Sequence, residues 1–293
     1  MIRALLALPL AAALAASQFR ASVDVVRIDA LVLQNGRPAA GLTAADFVVT
    51  DNGVPQTVTV RPLARQPIDA VVALDTSDSV RGPALERLRA AAGALVAQLT
   101  PEDRATLVTF GHIVTLGPRE IRPDALGPAL QGLTADGGTA LVDAVTSGLA
   151  WAAGRDRPML LLVFSDGRDT ASWTRSEQAL ALARTSHAVV DAVVTGDLLP
   201  TSAARIGHSG FMEQPTADER VLADLAALTG GRVRNGDAGG GLARAFREAL
   251  EQFRARYEIT YTASDKAPGW HAIDVQVEGR RGATVHARRG YQR

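Results

Sequence analysis

The chain has 293 residues, 47% of them hydrophobic and 21% charged, with 31 basic against 31 acidic side chains. That length holds one large domain or a medium one with a small companion, and the balanced charge excludes a protein-wide field of the kind that steers binding to nucleic acid. The absence of cysteine excludes disulfides, thiolate metal sites and a lipid attached through cysteine.

At the N-terminus Arg3 supplies one positive charge, Ala4 to Ala16 is apolar throughout, and Ala13, Ala15, Ala16 and Ser17 are small. This is the layout of a secretory signal peptide over residues 1–17, with a buried N-terminal helix as the alternative. The apolar run of 13 residues is short of the roughly 20 needed to cross a bilayer. The mature chain is therefore expected to be periplasmic or secreted, without a transmembrane segment.

Residues 18–64 read as strands. Val23 to Leu33 partly alternates, Asn35-Gly36 supplies a turn, Phe47 to Thr50 leads into a second turn at Asp51-Asn52-Gly53, and Gln56 to Val60 alternates again. Gly36, Pro38, Gly41, Gly53 and Pro55 interrupt every helical window.

From Pro67 strands alternate with amphipathic helices, the signal for a mostly parallel sheet. Strands are predicted at Ile68 to Leu74, Ala105 to Phe110, Met159 to Phe164, Ala188 to Val194 and Arg232 to Asn235. Helices are predicted at Pro83 to Leu99, Asp124 to Leu133, Leu141 to Ala153, Ser176 to Thr185, Ala217 to Thr229 and Leu242 to Ala255. Gly196 to Pro215 is a long loop, a length associated with either function or disorder. Strand patterning returns at Tyr257 to Tyr261, Ile273 to Val277 and Ala283 to Ala287.

Neither β segment has enough strands for an independent sheet. The expectation is a small β-sandwich-like domain built from residues 18–64 and 261–293, with an α/β domain of doubly wound, mostly parallel topology inserted between them at 65–260.

The chemistry concentrates in three loops. Asp75-Thr76-Ser77-Asp78-Ser79 follows the first strand of the α/β region, where ligands of open parallel sheets bind. Alternate residues of an extended turn let the Asp75 carboxylate and the Ser77 and Ser79 hydroxyls converge. Gly137-Gly138-Thr139 brings a third hydroxyl ahead of a helix, and Ser165-Asp166-Gly167 brings a second carboxylate after an apolar strand. Two carboxylates and three hydroxyls suit a hard divalent cation, magnesium first, with manganese or calcium as alternatives. These loops hold no cysteine and no histidine, which argues against zinc and copper. Taken singly each loop reads as a turn or helix cap sooner than as a ligand; the three together in this order do not.

Asp75-x-Ser77-x-Ser79, Thr139 and Asp166 on this strand and helix framework resemble the metal-ion-dependent adhesion site of von Willebrand factor type A domains, a Rossmann-like fold. The resemblance implies that Ser77 and Ser79 ligate the cation directly. It makes Thr139 a switchable ligand, and Asp75 and Asp166 carboxylates acting directly or through water. It further implies a coordination position left open for an Asp or Glu of a partner protein. The segments Gly41 to Phe47, Asp51 to Gln56 and Ala287 to Tyr291 also resemble secreted bacterial proteins carrying this domain, especially from Acidobacteria.

Other residues carry weaker signals. Asp143 either supports the site from the next helix turn or faces solvent. His112, His187, His208, His271 and His286 read as ordinary polar residues, Trp151, Trp173 and Trp270 as core or rim packing, and Arg288, Arg289 and Arg293 as solvated. The leading function is metal-dependent protein binding without catalysis. Two alternatives stay open: a magnesium-dependent phosphoryl-transfer hydrolase with Asp75 as nucleophile, and a scaffold that docks through its β domain. The hydrolase normally wants a second acid where Ser77 stands and a lysine for the phosphate, and Lys266 lies in the β segment.

Overall fold

The computed structural model describes residues 25–166, 169–195, 205–206, 212–213, 217–237 and 241–293. The expected signal peptide, most of the 196–215 loop and His208 lie outside the described residues.

The N-terminal strands are β1 (Val25–Gln34), β2 (Phe47–Asp51) and β3 (Thr59–Pro62). Then come β4 (Asp69–Asp75), α1 (Pro83–Val96), β5 (Arg104–Phe110), β6 (Val114–Leu116), α2 (Gly127–Gln131), α3 (Leu141–Ala152) and β7 (Met159–Ser165). The α/β region continues with α4 (Ser176–Thr185), β8 (Val189–Val194), α5 (Ala217–Thr229), β9 (Val233–Asn235) and α6 (Gly241–Arg254). The chain closes with β10 (Tyr257–Thr262), β11 (Trp270–Val277), β12 (Ala283–His286) and β13 (Gly290–Gln292).

The central sheet has six strands in the order β9-β8-β7-β4-β5-β6. All its pairings are parallel except that of β5 with the edge strand β6. Its strands are apolar on both sides because helices cover both faces. Ala70, Val72 and Leu74 of β4 pack with α1 and α6, including Leu88, Leu95, Phe246 and Phe253. Val71 and Ala73 pack on the other face with Leu141, Val145 and Leu149 of α3 and with residues of α4 and α5. This leaves the strand ends, where the polar loops lie, free to project.

The helix expected over Asp124 to Leu133 is divided into a 3-10 turn at Pro123–Leu126 and the short α2. Pro128 has no N–H to donate to the preceding turn, so one continuous helix cannot run through it.

Strands from both chain ends share sheets. β1 pairs antiparallel with both β10 and β12, and β3 adds to β10. In the second β layer β2 pairs with β11, which pairs with β13. Val26, Ile28 and Val32 of β1 meet Phe47, Val49, Ile259 and Val275 in one buried cluster. The boundary expected between residues 260 and 261 falls within β10, which begins at Tyr257 and hydrogen-bonds to β1 along its length. The alternation of Tyr257, Ile259 and Tyr261 suits a strand that buries one face, so the whole of β10 belongs with the β layers.

Candidate metal centre

Asp75 is the last residue of β4 and is completely buried. Its Oδ1 accepts the Ser77 N–H at 2.9 Å and its Oδ2 accepts the Ser165 hydroxyl at 2.6 Å. Burial pushes its carboxyl up to about 6, assisted by the nearby Asp166 charge and opposed by the Ser165 and Ser77 hydrogen bonds. From Ser77 a polar chain continues outward. The Ser77 and Ser79 Oγ atoms lie 2.8 Å apart, and the Ser79 hydroxyl donates to Asp166 Oδ1 at 2.7 Å. Four of the five expected ligands are thus joined at one edge of the sheet.

Thr139, the fifth, is buried on the adjoining loop, which backbone bonds knit to the first. The Asp136 N–H donates to Thr76 O at 2.8 Å and the Asp78 N–H to Gly137 O at 3.0 Å, while Asp78 Oδ1 accepts the Gly137 N–H at 2.9 Å. Two glycines make this approach possible. A Cβ on Gly111 would stand 2.5 Å from Asp136 O, and Gly137 has φ +74° with its would-be Cβ 2.7 Å from the His112 Cβ. Arg81 bridges the two loops from outside, 2.7 Å from Asp78 and 3.0 Å from Asp136.

A third group of residues escaped the sequence reading. Thr170 Oγ1 accepts the Thr139 N–H at 2.9 Å, and Thr139 O accepts the N–H groups of Thr170 and Ala171 at 2.9 and 3.1 Å. Asp169 Oδ2 accepts the Val142 N–H at 2.9 Å and Ser172 Oγ the Asp143 N–H at 3.0 Å, so this loop caps the first turn of α3 from a distance. A signal existed. Helix α3 opens after Ala140, which has no side chain able to cap it, so its free N–H groups require acceptors from elsewhere.

Asp143 neither faces the metal loops nor stands free in solvent. Its Oδ2 and Oδ1 accept the Trp173 and Thr174 N–H groups at 3.0 and 2.8 Å. Partial burial works against its charge, but these bonds outweigh it and hold the carboxyl below its ordinary value.

Three other expectations are corrected. Arg288 is 7% exposed, not solvated; its guanidinium donates to Gly290 O at 2.9 Å, to Arg184 O at 3.1 Å and toward His187 Nδ1 at 3.3 Å. His271 is an interior residue held between Asp51 Oδ1 at 2.9 Å and Ala267 O at 2.8 Å. Trp173 is no packing residue, being 94% exposed.

The donor set fits a hard cation by its chemistry. Among the described residues no cluster of three His, Asp or Glu could hold a metal, so a cation here would rest on two carboxylates and neutral hydroxyls. Such a set of oxygen donors is of the kind that a magnesium ion prefers.

Residues 70–168 match the family model of the von Willebrand factor type A domain. Residues 70–168 thus carry the sequence of a von Willebrand factor type A domain. An uncharacterized protein of Synechocystis is 30% identical over 110 residues, covering 36% of this chain and 26% of that protein. The chain thus spans about a quarter of the length of the curated relative it matches. Among solved structures, a von Willebrand factor type A protein from Catenulispora acidiphila is 14% identical, with a TM-score of 0.50 over 92% of this chain and 75% of that one. An aerotolerance-related membrane protein from Bacteroides fragilis is 16% identical, with a TM-score of 0.48 over 64% of this chain and 98% of that one. The first of these supports the α/β fold; at these identities neither speaks to activity. Domains of this family commonly mediate protein–protein interaction. Among the described residues no helix is long and apolar enough to cross a membrane.

Proposed function

We propose that this protein is an exported, non-enzymatic binding module that takes a divalent cation, magnesium foremost, on Asp75, Ser77, Ser79, Thr139 and Asp166 and uses it to bind an Asp or Glu of a partner protein. The observation that carries the reading is the hydrogen-bonded chain from buried Asp75 through Ser77 and Ser79 to Asp166. Bound there, the cation would supply a positive centre with a coordination position for an incoming carboxylate. Asp75 anchors the inner end, oriented by Ser165 and the Ser77 N–H. Ser77 and Ser79 present neutral oxygens, which weaken competition with the partner's carboxylate. Thr139, buried on a loop hydrogen-bonded to theirs, would supply the third hydroxyl.

Hydrolysis fits these residues less well. The position two after Asp75 carries a hydroxyl instead of a second acid, and Asp75 itself is enclosed and held by two hydrogen bonds. The architecture belongs to the same reading: a doubly wound α/β domain inserted between the two halves of a β platform, supported by the pairing of β1 with both β10 and β12. Export rests on the sequence pattern of residues 1–17 alone.

An affinity screen of extracytoplasmic proteins on the immobilised chain tests the function. Capture should require magnesium, should be reversed by EDTA, and should be lost in Asp75→Ala. Capture that persists through both treatments would transfer recognition to another surface.

A further inference from the structure

Among the described residues, Trp173 and Ile113 are the most exposed large hydrophobic side chains, at 94% and 71%. Both line one groove of about 340 Å³, together with His112, Val114, Asp143, Thr146, Ser147 and Thr174. Single exposed apolar side chains are ordinary on protein surfaces, whereas two lining the same groove offer a contact site.

The groove adjoins the loop that carries Thr139. His112 packs against Gly137 and lies beside Gly138, immediately before Thr139. Asp143 stands one helical turn after Thr139, and the loop carrying Trp173 is the one whose Thr170 and Ala171 N–H groups bind Thr139 O. Nor is Trp173 on a loose segment. Its own N–H and that of Thr174 are held by the Asp143 carboxylate, and the Ala171 and Ser172 N–H groups by Asp169 Oδ1 at 3.2 and 3.0 Å. A tryptophan presented on a fixed backbone loses little conformational freedom when a partner covers it.

The chemistry of the lining selects the occupant. Among the described residues the groove is lined by one carboxylate, that of Asp143, and by no Lys or Arg, so an acidic side chain is better accommodated at the proposed cation than in the groove. Its most exposed large side chains are the apolar Trp173 and Ile113, beside the hydroxyls of Thr146, Ser147 and Thr174. We infer that Trp173 and Ile113 form an apolar subsite beside the cation, and that the site recognises a partner segment in which a large apolar residue lies within a residue or two of the Asp or Glu that completes the coordination. The inference deepens the proposed function and rests on it.

The test is a random heptapeptide library displayed on phage, panned on the full chain in magnesium and eluted with EDTA. Eluted peptides should pair an acid with Leu, Ile, Phe or Trp one or two positions away. Resynthesised peptides should lose about tenfold or more in affinity for Trp173→Ala, and measurably for Ile113→Ser. Magnesium affinity, measured by calorimetry on the same variants, should stay unchanged. Trp173 is exposed, so its replacement does not endanger the fold. Peptides rich in acid alone, or equal affinity for wild type and Trp173→Ala while magnesium still binds, overturn the apolar subsite. Failure of the wild-type chain to bind magnesium at all overturns the metal reading and the subsite with it.

Discussion

In the proposed metal reading Asp75 joins two demands that pull against each other: its burial orders the site, and it would have to be ionised to hold a cation. Burial raises its carboxyl from the ordinary 3.8 to about 6, so between those values the folded chain in chelator keeps a proton that the unfolded chain has lost. In chelator, therefore, the Asp75 contribution to stability is full below pH 3.8 and is lost as pH rises through about 6. Cation binding has the opposite slope, since the ion must displace that proton. Magnesium affinity measured by titration calorimetry is predicted to be constant above pH of about 6 and to fall roughly tenfold per unit below it. Affinity that stays flat down to pH of about 4 would mean that Asp75 takes no part. The five residues nominated for this site stand out in the sequence because each lies at a strand end or in a polar loop, where its chemistry shows in the local pattern. Asp169, Thr170 and Ser172 were not, because they act on backbone groups about 30 positions away and nothing in their own neighbourhood records the partner.

At the level of elements, the distant capping of α3 makes one helix end depend on a loop after β7. Replacing Asp169 by Ala removes the acceptor of the Val142 N–H and of two N–H groups in its own loop. The expected loss is about 1 kcal/mol of stability, in the range of a helix cap. A weaker magnesium affinity should accompany it, because Thr139 hangs on the same loop; unchanged denaturation midpoint and affinity would show the cap to be dispensable. The β layers hold a different dependence. His271 faces an acceptor on each side, Ala267 O at Nε2 and Asp51 Oδ1 at Nδ1, and the Tyr261 and Tyr291 hydroxyls donate to Asp51 Oδ2 at 2.8 and 3.1 Å. The Ala267 carbonyl first, then Asp51, raises the imidazole above its ordinary 6.5, against burial. This contribution is full below pH 6.5 and is lost as pH rises through the folded value. Thermal scans in EDTA should therefore show a melting temperature that declines on the alkaline side for wild type and declines less for His271→Gln. Parallel curves would contradict the assignment. Alternation and turn residues revealed most of these strands, yet Asp51 and His271, 220 positions apart, carried no mark of their pairing.

For the whole molecule, the junction between the β layers and the α/β region centres on Arg256, 1% exposed, at the step from α6 into β10. Its guanidinium donates to Asp29 O at 2.9 Å, His286 O at 3.2 Å and Gly230 O at 2.7 Å, binding β1 and β12 to the turn after α5. Arg256→Ala would leave three buried carbonyls short of a donor and a void the size of the side chain. A loss of about 3 kcal/mol or more is expected in chemical denaturation; a loss under about 1 kcal/mol would mean that the junction does not depend on it. The sequence raised the expectation that the two chain ends would pair, because neither had strands enough to stand alone. It could not foretell what binds them to the α/β region, since the described hydrogen bonds of this buried arginine go to carbonyl oxygens of distant residues, which leave no mark in its own neighbourhood.

The account turns on one claim, that Asp75, Ser77, Ser79, Thr139 and Asp166 together hold a divalent cation. The direct measurement is calorimetric titration of magnesium into the full chain and into Asp75→Ala at neutral pH. The account predicts a saturable single-site heat for the wild type that vanishes in the variant while its folding, followed by circular dichroism, is retained. Absence of binding in the wild type, or equal binding in both, would contradict it.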